Sequence, residues 1–372
     1  MSISYVDFYR QNNISPVSQD ISDLKRHFQR RASLFFTLGI LPRLVSGRSV
    51  LEFGPGSGHN ALYTASLAPA KYILVDGNPK GVAETQHRLA HQPVQTLEVV
   101  LSLFEEFHSA SAFDLVWAEG CLQHQADATS LVQHMATFVE PGGCLVVTTV
   151  DAISFLPEIL RRLVKEIQCE KGADLAVQLK TLVPILAPHL KTLQGMSRPV
   201  EDWILDNILQ PLEEVELFSL PQAIQCLSSE FDVYGMSPKF STDWRWYKDI
   251  VGDDRQFNQN ALAAYYQHNL NFLDYRFEYP PHSALFGQKL AQACASVWSW
   301  MKKIQTTGQG WDAMWEALEA IALLVEVQAP QTAVAMREAS QWIQGGANAD
   351  ETLQHFPFWW GRGQQHTSFV RK

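Results

Sequence analysis

The chain has 372 residues, 46% hydrophobic and 18% charged, which is enough apolar material for an ordered core larger than one typical domain. Its 39 acidic residues outnumber 29 basic ones, and the formal net charge of -10 argues against a nucleic-acid partner. The five cysteines include no close pair, so the spacings of metal ligands and redox pairs are missing.

The sequence carries no signal for export or membrane insertion. The opening MSISYVDFYRQNN lacks the basic start and apolar run of a secretory signal, and no apolar run approaches the length that spans a bilayer. An odd set of scattered cysteines is typical of reduced thiols in the cytosol. We therefore expect a cytoplasmic protein without a membrane partner, whose oligomeric state the sequence leaves open.

The first 47 residues have helical periodicity. Apolar side chains recur at helical spacing from Leu24 to Leu38, and Gly39 is placed to end the helix. We predict that residues 1–47 form a helical segment that packs on the core or covers a site as a lid.

Short β-rich runs alternate with helical patterns between residues 49 and 149. The runs are SVLEF (49–53), YILVD (72–76), LEVVL (97–101), DLVWA (114–118) and CLVVTT (144–149). Continuous apolar strands that alternate with helices indicate a parallel sheet covered on both faces. The predicted fold class is therefore α/β.

The pattern changes after residue 150. Helical periodicity dominates, and the remaining strand signals are FDVYGM (231–236) and QHTSFVRK (365–372). We infer a sheet whose last two strands are separated by an insertion. The predicted parts are a core at 48–238 with a helical stretch at 152–228, an inserted helical domain at 239–358, and a final core strand within 359–372.

The strongest local signal is SVLEFGPGSGHN at residues 49–60. A strand runs directly into Gly54, Gly56 and Gly58 and then into an apolar helix. Glycines here let the backbone turn sharply and lie against a ligand with no Cβ in the way. Glu52 can orient this loop or accept from a cationic group of the ligand. The pattern predicts a cofactor-binding loop.

Other glycine-rich loops fit less well. The dinucleotide fingerprint G-x-G-x-x-G needs a third glycine where this chain has His59. No Gly-Lys-Ser/Thr follows, as a P-loop requires, and Ser57 lacks the flanking glycines of a nucleophile elbow. The E-x-G-x-G-x-G spacing favours S-adenosylmethionine (SAM) over a nicotinamide cofactor.

Asp76 ends the second predicted strand and precedes Gly-Asn-Pro. An acidic residue about 20 positions beyond a glycine loop can accept hydrogen bonds from ribose hydroxyls. Asp-Gly-Asn-Pro also favours a turn, and both roles can hold together.

Residues 49–150 resemble the class I SAM-dependent methyltransferase family through LEFGPGSGHN, LVDGNP, FDLVWAEGCLQH and EPGGCLVVTT, in that order. The resemblance implies a Rossmann-like seven-stranded sheet of order 3-2-1-4-5-7-6 with an antiparallel strand 7. It implies that the loop holds the methionine part, Asp76 the ribose, Ser102 and Leu103 the adenine, and Glu119 the sulfonium side. Leu103 stands where the family usually has an acidic residue. The cofactor-binding candidates are Glu52, Gly54, Pro55, Gly56, Gly58, His59, Asn60, Asp76, Gly77, Asn78, Ser102, Leu103, Glu119 and Gly120.

Further stretches resemble a bacterial subgroup of this family that often accompanies surface-glycan biosynthesis. They are ISPVSQDISDLKRHFQRR, SRPVEDWILDNILQP, FDVYGMSPKFSTDWRWYK and WWGRGQQHTSFVRK. The resemblance implies a sugar or sugar nucleotide as the acceptor.

Methyl transfer from a sulfonium is an in-line displacement that needs alignment and, for a hydroxyl acceptor, removal of a proton. The catalytic candidates are His124, Glu119 and Asp151. His124 follows the fourth strand, at the edge where open α/β sheets bind ligands, and Asp151 follows the fifth. His124 can instead pack in its loop, and Asp151 can instead cap a helix.

Aromatic and basic residues are dense at 243–248 and again near residue 360. Aromatic faces suit sugar or aromatic acceptors, and arginine or lysine can hold a phosphate, although the same residues also suit core packing at a domain joint. The substrate-binding candidates are Trp244, Arg245, Trp246, Tyr247, Lys248, Trp360 and Arg362. Because they flank the inserted domain, we expect that domain on the acceptor side.

The sequence thus predicts a SAM-dependent methyltransferase that forms S-adenosylhomocysteine (SAH), uses no metal and acts on a hydroxyl of a small sugar-like acceptor. Two alternatives stay open. One is N-methylation of a small metabolite, and the other is a non-catalytic SAM-binding protein that regulates or scaffolds a partner.

Overall fold

The structure of the chain, a computed structural model, describes residues 5–15, 17–212 and 215–372, apart from the side chains of Tyr5 and His124. The chain forms two compact units. The sheet unit contains the described residues of 3–150, 214–265 and 364–372, and the helical unit contains those of 151–213 and 266–363. The stretch after residue 150 therefore groups with the later helices, whereas the sequence pattern groups it with the core.

The seven strands predicted from the sequence form one sheet. They are β1 (Ser49–Phe53), β2 (Lys71–Asp76), β3 (Thr96–Leu101), β4 (Phe113–Ala118), β5 (Val139–Thr149), β6 (Phe231–Ser237) and β7 (Gln365–Arg371). Their order is β3-β2-β1-β4-β5-β7-β6. Strands β1 to β5 pair in parallel, while β7 is antiparallel to both β5 and β6. The predicted α/β class, strand order and antiparallel strand are confirmed.

The helices lie mostly in two runs, one between β5 and β6 and one between β6 and β7. They are α1 (Tyr5–Asn12), α2 (Leu24–Thr37), α3 (Ala61–Ser66), α4 (Pro79–Leu89), α5 (Ala128–Ala136), α6 (Leu156–Gln168), α7 (Leu175–Leu190), α8 (Val200–Ile204), α9 (Leu220–Leu227), α10 (Phe257–His268), α11 (Leu270–Leu273), α12 (Ala284–Thr307), α13 (Trp311–Val325) and α14 (Pro330–Gln344). Within the described residues, no helix is long and apolar enough to cross a membrane.

Helix α2 packs on one face of the sheet. Asp23 caps its first turn, and its buried side includes Arg31 and Phe35. Phe35 is fully buried and stacks on Trp117 of β4, with ring centroids 4.6 Å apart. Burying an aromatic side chain of this size contributes roughly 1.5–3 kcal/mol. This packing brings the neighbouring Arg31 to the end of β4.

A buried arginine organises part of the helical unit. Arg161 of α6 lies over the Trp360 ring, 3.5 Å from its centroid. Its guanidinium donates to the carbonyl oxygens of Pro157, Phe356 and Trp359, each at 3.1 Å. Cation–π contact and these hydrogen bonds compensate for the loss of water around the charge. The interaction joins α6 to the segment that ends at Trp360.

Gly287 allows α12 to approach the end of α10 closely. A Cβ at this position would lie 1.9 Å from the carbonyl oxygen of Tyr266. The carbonyl oxygen of Gly287 accepts a hydrogen bond from Asn269 Nδ2 at 2.8 Å. The contact between backbones therefore excludes any side chain at residue 287.

We expect Gly287→Ala to destabilise the helical unit by roughly 1–3 kcal/mol, because the added methyl group forces the two backbones apart. Thermal unfolding followed by circular dichroism measures the effect. Gly345→Ala is the matched control, since a Cβ there meets no atom closer than 3.4 Å. Equal melting temperatures for the two variants would contradict this packing.

Candidate functional site

The predicted cofactor-binding residues of the sheet unit lie along one edge of the sheet. The parallel strands β1, β2, β3 and β4 end there, so the loops that follow them lie side by side. Because β7 runs antiparallel, its first residues reach the same edge, with His366 opposite Thr148 of β5. The edge therefore combines four strand-end loops with the start of the last strand.

The loop after β1 depends on its glycines. Gly54, Gly56 and Gly58 have φ values of +70°, +57° and +77°, a region that side chains disfavour. A Cβ on Gly54 would lie 2.8 Å from Cys121 Cβ, and one on Gly56 would lie 2.7 Å from Val17 Cγ2. The Pro55 carbonyl oxygen closes the turn by accepting from the Gly58 amide at 2.9 Å. The sequence thus produces a tight loop that packs against Val17 and Cys121 and leaves no room for side chains at Gly54 and Gly56.

Asp76 binds this loop to the end of β2. Its Oδ2 accepts from the Gly56 amide at 3.0 Å, and its Oδ1 accepts from the Asn78 amide at 2.8 Å. Burial raises the pKa of Asp76 to about 6, against the opposing effect of these two hydrogen bonds. Each carboxylate oxygen can accept a second hydrogen bond, so the group retains capacity for two hydroxyl donors.

The residues next to Asp76 shape the adjoining turn. Asn78 caps α4 by accepting from the Lys80 amide at 3.2 Å, and the Gly77 carbonyl oxygen accepts from Arg10 at 2.7 Å. A Cβ on Gly77 would lie 3.3 Å from Leu103 Cδ2. The turn is therefore packed closely against the loop after β3.

The loop after β3 presents a polar group and an apolar one. The Ser102 amide donates to the Asp76 carbonyl oxygen at 3.1 Å, and the Ser102 hydroxyl donates to the Leu103 carbonyl oxygen at 2.8 Å. The Leu103 side chain lies beside Gly77. An aliphatic wall thus takes the place of the acidic side chain that the family resemblance implies.

His59 braces the glycine loop. Arg88 can only donate, so its 3.0 Å contact makes Nε2 of His59 the acceptor, and Nδ1 then donates to the Ser57 hydroxyl at 2.7 Å. Burial, with Arg88 and His27, lowers the pKa of His59 to about 4. The neutral ring therefore has protein partners on both nitrogens.

Glu119 accepts hydrogen bonds from three elements. Arg31 of α2 donates to both carboxylate oxygens at 2.8 Å, Asn60 Nδ2 donates to Oε1 at 3.1 Å, and Trp117 Nε1 donates to Oε2 at 2.9 Å. Burial alone would raise the pKa of Glu119, but the Arg31 charge holds it well below its ordinary value. A carboxylate so strongly stabilised is a poor proton acceptor, which argues against Glu119 as the catalytic base.

A second buried carboxyl group lies next to this one. Tyr72 of β2 donates a short hydrogen bond to Glu52 of β1. Burial raises the pKa of Glu52 to about 7, the nearby Glu119 adds to the rise, and the Tyr72 hydrogen bond and Arg31 oppose it. The two carboxyl groups thus have opposite protonation tendencies, because Arg31 pairs with Glu119 alone.

Two further residues at this edge have partners that the sequence did not identify. The Gly120 amide donates to Thr148 Oγ1 at 2.7 Å, and His366 Nε2 lies 3.6 Å from Glu119 Oε1. Sequence reasoning treated His366 only as part of a strand. A histidine at the start of an antiparallel strand, which must lie at the ligand-binding edge, was the available signal.

The other two catalytic candidates stand differently. The His124 side chain lies outside the described residues, and only its backbone, which ends a short 3-10 helix, is described. Asp151 belongs to the helical unit, and its Oδ1 accepts from the Ser154 amide at 2.7 Å. This contact closes a turn that precedes α6, and the N-cap residue of α6, Phe155, makes no side-chain capping hydrogen bond.

The cluster at 244–248 exposes its aromatic rings. Trp244 is 91% exposed, Tyr247 72% and Trp246 60%. Arg245 is engaged by its own loop, since its guanidinium donates to both oxygens of Asp243 and to the carbonyl oxygens of two later residues. Arg245 therefore holds the loop together, and its expected phosphate contact stays a prediction. Lys248 Nζ lies 5.0 Å from the Trp246 ring centroid.

Trp360 and Arg362 belong to the helical unit and are engaged there. Trp360 is 2% exposed, and its Nε1 donates to Thr192 Oγ1 at 3.0 Å. Arg362 donates to the carbonyl oxygens of Asn271 at 2.6 Å and Phe277 at 2.9 Å. Both side chains thus have packing and hydrogen-bond partners inside the helical unit, and their expected substrate contact stays a prediction. Across the described residues, no group of histidine, cysteine and carboxylate side chains forms a metal site.

A family model described as a methyltransferase domain matches residues 24–182, which include α2, the glycine loop, Asp76 and Glu119. The methyltransferase str2 of Strobilurus tenacellus is 29% identical over 164 residues. That alignment covers 41% of this chain and 57% of the relative, so the chain spans little more than half of the relative's length.

Solved structures give similar matches at low identity. The N-methyltransferase NodS from Bradyrhizobium japonicum WM9, in complex with SAH, is 18% identical over 38% of this chain and 73% of its own, with a TM-score of 0.31. The magnesium protoporphyrin IX methyltransferase ChlM from Synechocystis PCC 6803, with bound SAH, is 14% identical over 65% of this chain and 93% of its own, with a TM-score of 0.38.

We expect Glu52→Gln to make stability less dependent on pH. The pKa of Glu52 is raised from 4.5 to about 7, so the folded chain keeps a proton that the unfolded chain loses in this window. Wild-type stability therefore falls as pH rises from 4.5 to 7, by about 3 kcal/mol from this group. Glutamine does not titrate and removes this contribution.

Chemical unfolding at pH 5 and pH 8 measures the difference. Asp76 titrates with the same sign in both proteins, so the comparison isolates Glu52. Glu105→Gln, at an exposed position of the sheet unit, is the matched control. An unchanged pH dependence in Glu52→Gln would show that the carboxyl group is ionised throughout.

Proposed function

We propose that the chain is a SAM-dependent methyltransferase whose cofactor lies at the carboxyl edge of the sheet. The main observation that supports this proposal is the hydrogen bond from the Gly56 amide to Asp76. It joins a loop of glycines with positive φ to a buried carboxylate. SAM is a nucleoside with an attached amino-acid chain. Its amino-acid part needs a backbone loop to lie against, and its ribose hydroxyls need a hydrogen-bond acceptor. The methyltransferase-domain model that matches residues 24–182 supports the same proposal.

The residues present fit SAM at this edge. Gly54, Gly56 and Gly58 would accommodate the methionine part, because their positive φ values turn the backbone sharply at the end of β1. Asp76 would accept from the two ribose hydroxyls with its remaining lone pairs. Leu103 would contact the adenine. SAM supplies a methyl group bonded to a positively charged sulfur. An acceptor oxygen can bond to the methyl carbon, and the sulfur is the leaving group.

A nicotinamide cofactor is the weaker alternative at this loop. The dinucleotide motif needs its third glycine at the position of His59. That ring is instead fixed by Ser57 and Arg88. The loop therefore depends on the His59 side chain at a position where a dinucleotide-binding loop needs a glycine.

For the acceptor, we propose a small molecule with a hydroxyl on a sugar-like ring. The support is the exposed aromatic faces of Trp244, Trp246 and Tyr247, which can pack on the apolar faces of a sugar. The Arg245 contacts hold their loop in place before any ligand binds. A preorganised aromatic surface loses little conformational entropy on binding.

We expect Asp76→Ala to weaken SAM binding roughly 10- to 150-fold, because hydrogen bonds to a charged group contribute about 1.5–3 kcal/mol. Isothermal calorimetry with SAM measures the dissociation constant. Asp114→Ala is the matched control, since Asp114 accepts from Ser49 at 2.7 Å at the opposite end of the strands. Equal SAM affinity in both variants would contradict the cofactor assignment.

The acceptor proposal is tested with methyl-labelled SAM and a panel of sugar nucleotides, free sugars, phenols and primary amines. We expect label in a sugar-type compound, and Trp246→Ala should raise its KM about tenfold or more while SAM affinity stays unchanged. Phe36→Ala, which alters another exposed aromatic residue of the sheet unit, is the control. Transfer to amines alone would favour N-methylation, and SAM binding without transfer to any compound would favour a non-catalytic binding protein.

A further inference from the structure

His366 is placed at the candidate site by the antiparallel course of β7. It pairs in register with Thr148 of β5 and Ser237 of β6. Thr148 in turn accepts the amide of Gly120, the residue after Glu119. The imidazole is thus part of the carboxyl edge, although it lies more than 200 residues away from β5 in the sequence.

One nitrogen of this imidazole faces the buried carboxylate of Glu119. His366 Nε2 lies 3.6 Å from Glu119 Oε1, while 16% of the His366 side chain stays exposed. The facing carboxylate only accepts, so it favours the tautomer with the proton on Nε2 and leaves the lone pair on Nδ1.

Glu119 connects this imidazole to the proposed cofactor loop. Its Oε1 accepts from Asn60 Nδ2 at 3.1 Å, and Asn60 directly follows the loop that would hold the methionine part of SAM. The same oxygen faces His366. One carboxylate atom therefore separates the loop from the imidazole, and a methionine part bound at the loop would place the transferred methyl group on the side of His366.

We propose that His366 is the base that takes the acceptor's proton during methyl transfer, with Glu119 as the residue that positions it. This inference rests on the proposed function. The acceptor oxygen forms a bond to the methyl carbon, and the carbon–sulfur bond breaks with its electron pair going to sulfur. The acceptor's proton passes to Nδ1 of His366, so the positive charge moves from the sulfonium to an imidazolium.

The surroundings suit that charge movement. Arg31, Asn60 and Trp117 already donate to the Glu119 carboxylate and fix its orientation. The carboxylate therefore stays ionised and stabilises the imidazolium, as the acidic member of a catalytic triad does. Release of SAH and of the proton to water then restores the neutral ring.

The test uses two ligands that need no acceptor. SAH lacks the methyl group, and sinefungin carries an amine on carbon where SAM has its methyl on sulfur. If His366 lies where the methyl group is transferred, it accepts a hydrogen bond from that amine. We expect His366→Leu, which removes the acceptor, to reduce the ratio of sinefungin affinity to SAH affinity about tenfold, since hydrogen bonds to charged groups are strong.

Calorimetry on the full chain measures both dissociation constants, and the ratio cancels any general loss of the binding site. His91→Leu, at an exposed position of the sheet unit, is the matched control and should keep the wild-type ratio. His366→Ala serves as the second variant if His366→Leu does not fold.

The outcomes separate this inference from the function it rests on. A wild-type ratio in both His366 variants would overturn the role of His366 while leaving SAM binding intact. A lowered ratio in His124→Leu with no change in the His366 variants would assign the base to His124. A wild-type chain that binds neither ligand would overturn the proposed function, and with it this inference.

Discussion

The candidate site depends on one buried ion pair, that between Arg31 and Glu119. The guanidinium comes from α2 and the carboxylate from the end of β4, and their two parallel hydrogen bonds join these elements at the edge where the glycine loop also lies. Breaking such a pair by removing one partner typically costs 3–5 kcal/mol, because the other charge is left buried. The pair therefore couples the position of α2 on the sheet to the geometry of the site.

Because of the same pair, the three buried carboxyl groups at this edge differ in pKa. Glu52 and Asp76 are buried without a cation as a hydrogen-bond partner, and their pKa values rise to about 7 and about 6. Glu119 is also buried, but Arg31 keeps its pKa well below the ordinary value. Groups of one chemical type thus have three uses in the proposed mechanism: Glu52 buttresses the strand, Asp76 accepts from the ribose, and Glu119 holds a permanent negative charge.

The backbone of the sheet unit could be predicted from the sequence because its signals are local. Apolar runs predicted the seven strands, glycines predicted the loop, and the family resemblance implied the order of the strands in the sheet. The partners of Glu119 could not be predicted, because Arg31, Asn60 and His366 come together only through long-range packing. The burial of the aromatic and basic clusters could not be predicted from their composition. Similar residues give an exposed ring at Trp244 and a buried, hydrogen-bonded ring at Trp360.

The most direct test of the account is a crystal structure of the full chain grown with SAH. The account predicts the ligand at the carboxyl edge, with both ribose hydroxyls within hydrogen-bond distance of the Asp76 carboxylate. It also predicts the sulfur on the side of Glu119 and His366. A ligand bound away from the glycine loop, or a ribose that does not contact Asp76, would contradict it.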